Sequence, residues 1–113
     1  MKSNGENKSF KNKEEAEILL KESRKRIDEI DNELFDLISQ RTHLAKNIAL
    51  SKEYLGMPIY DKKREEIVHE KIAKLSEEKD LDVDIIDQIV NMLTILSKNE
   101  QNEILRRNVN GQY

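Results

Sequence analysis

Three stretches of the chain carry polar side chains where their neighbours are apolar. Arg41 stands midway between Leu34 and Ile48, on the apolar side of a segment that also presents Leu37 and Leu44. Lys52 falls near the same line, eleven residues further on. Counting back from Val68 by three, four and seven residues gives Glu65, Arg64 and Asp61, which share one face of a helix. The line Ile86, Val90, Leu93 continues to Ser97 and Gln101 before it returns to Ile104 and Leu105. A buried guanidinium with no partner is strongly destabilising, so Arg41 requires either an acid of the protein or a ligand. Eleven residues of ideal helix span ~16 Å with about 20° of net rotation, so Arg41 and Lys52 can lean toward one small molecule. Arg64 adds a third cation, and Ser97 and Gln101 add neutral hydrogen-bonding groups. The set suits a small, multiply anionic, oxygen-rich ligand.

Each of these residues also has a purely structural reading. Arg41 and Glu65 can form an internal ion pair. Lys52 suits the C-terminal end of a helix, where the macrodipole favours cations. Asp61 is a good N-cap, and Glu65 complements the dipole of a first turn. Ser97 and Gln101 can act as a polar break that fixes the register of a helix interface. Arg24, taken alone, reads as a surface residue. His43 and His69 lie off the apolar rows without metal-ligand spacing, so both read as exposed and no metal site is expected.

The elements that must position these side chains are helical. Glycine occurs only at 5, 56 and 111, and Pro58 is the single proline; such sparse punctuation leaves long stretches uninterrupted. Leu20, Ile27, Leu34 and Ile48 are heptad-spaced, with Ile30, Leu37 and Leu44 as a second row, which predicts one long helix over about 13–53. Pro58 disfavours helical geometry at Met57 and ends the pattern. Val68, Ile72 and Leu75 predict a second helix over 61–78. Ile86, Ile89, Val90, Leu93 and Leu96 predict a third over 82–106, with Asp80, Asp82 and Asp84 as N-cap candidates. The expected fold is all-α, one long helix and two shorter ones. The organisation expected is a disordered extension over 1–12, a helical domain over 13–107 and a flexible tail over 108–113.

Composition bounds what this fold can be. The chain has 113 residues, of which 36% are hydrophobic and 38% charged, so a lone protomer has a thin core. Sharing a core with a second chain relieves this, and a two-fold homodimer is expected. The net charge of −3 argues against nucleic-acid binding, which depends on phosphate neutralisation. With no cysteine, disulfides and thiolate zinc sites are excluded, which fits a cytoplasmic protein. The opening "MKSNGENKSF" has no apolar segment of the signal-peptide kind, and no run approaches the length of a membrane span.

The local texts "RKRIDEIDNEL", "LISQRTHLAKNIALSK", "MPIYDKKREE" and "LSKNEQ" resemble the all-helical class of chorismate mutases. The likeness runs from about Ile18 to Leu105, and all eight of Arg24, Arg41, Lys52, Asp61, Arg64, Glu65, Ser97 and Gln101 fall in register with that family's pattern. The resemblance implies an intertwined homodimer with two equivalent sites, each rearranging chorismate to prephenate without a cofactor or metal. It implies that Arg41 and Arg24 hold the substrate's two carboxylates, with further contacts from Arg64 and Ser97. Lys52 would touch a carboxylate and, with Gln101, donate to the ether oxygen. Glu65 and the Asp61 backbone would hold the ring hydroxyl. Arg24 and Arg41 are seventeen residues apart, ~25 Å along an ideal helix and about 100° around it. If both serve one site, Arg24 must come from the other chain. An isochorismate pyruvate lyase on the same scaffold, or a helical dimerisation module without catalysis, are the competing expectations.

Overall fold

A computed structural model describes residues 10–109, and these form three helices: α1 (Lys13–Leu55), α2 (Lys62–Glu78) and α3 (Val83–Val109). Among the described residues there is no strand. The all-α expectation is met, with each boundary within three residues of the sequence-based one. Residues 1–9 and 110–113, which hold most of the expected extension and tail, lie outside the described residues.

The helix ends are set by side chains and backbone geometry that the sequence supplies. Asn12 Oδ1 accepts the Glu15 N–H at 2.8 Å and starts α1. Asp61 Oδ1 accepts the Arg64 N–H at 3.0 Å and caps α2. Asp82, of the three candidate acids, caps α3 by accepting the Ile85 N–H at 3.1 Å. Helices α1 and α2 close in the same way. Gly56, at φ 68°, donates to the Glu53 carbonyl while Met57 donates to that of Lys52. Asp80, at φ 56°, donates to Glu77 O while Leu81 donates to Ser76 O. Both are Schellman closures. Asp80 therefore ends α2 rather than starting α3, and Gly56 turns the chain two residues before Pro58.

The chain divides into an N-terminal unit ending at Ile38 and a C-terminal unit from Ser39 onward. The described N-terminal unit is the first part of α1. Its apolar rows, including Leu20, Ile27, Ile30, Leu34 and Leu37, are all exposed. The C-terminal unit packs the end of α1 with α2 and α3. Ala45 and Ala49, one helical turn apart, are completely buried, and Ile104 is nearly so. Towards the end of α3, Glu103 accepts from Arg106 at 2.6 Å. That hydrogen bond holds the Glu103 carboxyl below its usual range and raises Arg106.

Candidate active site

A cleft of about 430 Å³ opens in the C-terminal unit. Its apolar wall is built from Leu44 and Ile48 of α1, Ile59 of the connector, Val68 of α2 and Val90 of α3. Its polar lining contains Arg41, Lys52, Asp61, Arg64, Glu65, Ser97 and Gln101. Seven of the eight residues singled out from sequence thus face one cavity, brought from three helices. Arg24 belongs to the N-terminal unit and is exposed.

Lys52 sits at the centre of the polar network. Its carbonyl accepts the Met57 N–H that closes α1, so its backbone is fixed by the Gly56 turn. Its ammonium donates to the Ile59 carbonyl at 2.6 Å and to Gln101 Oε1 at 3.1 Å. Gln101, only 4% exposed, in turn donates from Nε2 to Ser97 Oγ at 3.3 Å. An ammonium has only donors, so it dictates that the amide oxygen faces it and the amide nitrogen faces Ser97. Lys52 has three N–H bonds and two are engaged; the Gln101 amide has two and one is engaged. Each group therefore keeps one N–H for an incoming acceptor.

The guanidiniums are held differently. Arg41 Nη1 donates to the Leu93 carbonyl of α3 at 3.0 Å, using a spare lone pair of a helical carbonyl. Its other donors are available to a ligand. The internal Arg41–Glu65 ion pair considered from sequence is not formed. Glu65 instead lies 3.5 Å from Lys98 of α3. Arg64 is exposed at the cleft, and Asp61 combines its capping role with a place in the lining. Arg41 is exposed in this single chain rather than buried as its position on the stripe suggested.

Lys98, Thr94 and His69 line the cleft too and were not singled out as site residues. Lys98 adjoins Ser97 and lies three residues before Gln101, so helical periodicity places it on the same side. His69 is exposed as expected, but its Nδ1 pairs with Asp87 Oδ1 at 2.6 Å and ties α2 to α3. Among the described residues, no group of His, Cys, Asp and Glu could hold a metal ion.

Four cationic side chains, Arg41, Lys52, Arg64 and Lys98, meet two carboxylates, Asp61 and Glu65, in the lining. The excess of two positive charges matches a small dianion. Apolar walls with a few convergent donors are the usual make-up of a small-molecule site. Together these features suit a compact, doubly charged, oxygen-rich organic molecule.

Comparison with known proteins narrows that class. Residues 23–102 match the family described as chorismate mutase type II. The chain is 41% identical over 91 residues to a chorismate mutase of Methanocaldococcus jannaschii, covering 80% of this chain and 92% of that protein. It is also 44% identical over 59 residues to a bifunctional chorismate mutase/prephenate dehydratase of Aquifex aeolicus, covering 52% of this chain and 16% of the relative. The corresponding bifunctional protein of Buchnera aphidicola is 31% identical over 84 residues, covering 74% of this chain and 22% of the relative. This chain belongs to the chorismate mutase type II family.

Proposed function

We propose that the chain converts chorismate to prephenate in a cleft completed by a second copy of itself. The reaction is an intramolecular Claisen rearrangement: the ether C–O bond breaks as a C–C bond forms between the same substrate's arm and ring. It requires no nucleophile and no proton transfer. A protein accelerates it by holding the enolpyruvyl arm over the ring and by stabilising negative charge as it builds on the ether oxygen.

The observation that carries this reading is that Lys52 and Gln101, linked by the 3.1 Å hydrogen bond from Nζ to Oε1, each keep an unused N–H in the cleft. Donors fixed in advance at the position where charge develops bind the transition state better than the substrate. Arg41, with four N–H donors beyond the one given to Leu93, takes one carboxylate as a bidentate pair. Arg24 of a second chain takes the other, and Arg64 and Ser97 add contacts to the carboxylates. Glu65 accepts from the ring hydroxyl, which the Asp61 backbone also holds.

The homodimer is supported by the exposed apolar rows of the N-terminal unit. Each half-exposed Leu or Ile there gains about 1 kcal/mol when a partner covers it. A cytoplasmic setting accords with the family resemblance. No helix of the described residues is long and apolar enough to cross a membrane.

The test is direct. Purified protein should remove the absorbance of chorismate, and Lys52→Ala should slow that loss by ~10²–10³-fold. Absorbance that persists with the parent chain, or an unchanged rate in Lys52→Ala, contradicts the reading. Isochorismate offered in parallel separates a mutase from a lyase.

A further inference from the structure

A carboxylate inside a receptor for a dianion is a hazard. Glu65 lines the same cleft as Arg41, Lys52 and Arg64, and an unattended carboxylate there would both repel the substrate and draw those cations onto itself. The structure shows how Glu65 is kept occupied. Lys98 Nζ lies 3.5 Å from Glu65 Oε2, and both side chains are about two-thirds buried, at 31% and 28% exposure. Partial burial reduces solvent screening of the pair relative to a surface ion pair. The same ammonium sits 5.5 Å from the centroid of the Tyr60 ring, a cation–π distance. Tyr60 immediately precedes the α2 cap Asp61, so Lys98 of α3 is held by two groups that flank the start of α2.

We propose that Lys98 is a positioning residue: it orients Glu65 toward the substrate's ring hydroxyl and keeps that charge from competing with the substrate's carboxylates for Arg41 and Arg64. This inference rests on the mutase reading above. Lys98 does not touch reacting atoms in this account; it acts through Glu65. Tyr60 supports it by stabilising the ammonium on a second side.

A double-mutant cycle read in steady-state kinetics with chorismate tests the proposal. Lys98→Met should raise KM about tenfold with a smaller change in kcat, because the lost function is ground-state placement and charge matching. Lys98→Arg, which keeps the charge, should recover most of the loss. In a Glu65→Gln background, Lys98→Met should add little, since nothing remains for it to hold. Melting temperatures of all four chains establish that the variants are folded. Additive losses in the cycle, or a Lys98→Met chain with parental KM, overturn the assignment. A parent chain without turnover overturns the mutase reading itself, and the inference with it.

Discussion

The two units of this chain differ in how much they bury: among the described residues the N-terminal unit buries no apolar side chain, whereas the C-terminal unit buries three and still exposes many large ones. In the N-terminal unit, Leu20, Ile27, Ile30, Leu34 and Leu37 form regular rows and every one is exposed. In the C-terminal unit, Ala45, Ala49 and Ile104 are buried, and Leu44 and Ile48 wall a cavity. The first is a regular apolar seam left exposed. The second holds a small core and a linked polar network that keeps donors unused. Regular heptad spacing asks for another helix, whereas apolar stripes interrupted by long polar side chains line a cleft. One helix, α1, contributes to both, and its sequence changes character between Ile38 and Arg41.

The largest effect that can break this comparison comes from the seam. Ile27→Glu places a charge on the apolar row of the N-terminal unit, and if the proposed homodimer forms there, sedimentation should show it lost in the variant, with activity lost in step. A chain that stays dimeric and active would mean the rows are merely solvated.

Gln101→Glu probes the other unit. A carboxylate cannot donate, so the variant needs a protonated carboxyl to serve the ether oxygen. Its activity should be low at neutral pH and recover as pH falls, moving the optimum toward acid. A pH–rate profile overlaying the parent's would contradict the donor role of Gln101.

The smallest effect is at the turn that fixes Lys52. A Cβ at Gly56 would meet no atom within 4 Å, so Gly56→Ala costs only its left-handed backbone, about 1–2 kcal/mol. The melting temperature should drop by several degrees while kcat stays within a small factor of the parent's. A large loss of activity at unchanged stability would show that Lys52 depends on this turn more tightly than its two side-chain hydrogen bonds suggest.

How much could be read without a structure follows from the range of the forces involved. Helices were legible because periodicity is local, and Asp61 and Asp82 were legible as caps because a cap acts three residues away. That Arg41, Lys52, Arg64, Ser97 and Gln101 could meet one ligand was legible from polar breaks in apolar stripes, whereas a place for Asp61 and Glu65 beside them was implied only by the family resemblance. Lys98 was not: its partner Glu65 lies thirty-three residues away on another helix, and spacing within α3 cannot reveal a pair between helices. A stripe traced through Leu and Ile overlooks Ala45 and Ala49, the buried small residues of α1. Acids favour N-caps, so the sequence offers Asp80 among three candidates for the start of α3; only the backbone shows it in the left-handed turn that ends α2.

The central claim is that the cleft of one chain is incomplete until another chain supplies Arg24. The most direct measurement mixes Arg24→Ala and Arg41→Ala chains. Each alone should be nearly inactive. After co-refolding, with heterodimers verified by mass, one of the two sites receives both intact arginines, and about half the parental activity per heterodimer should return. Heterodimers that form and stay inactive would contradict the shared site.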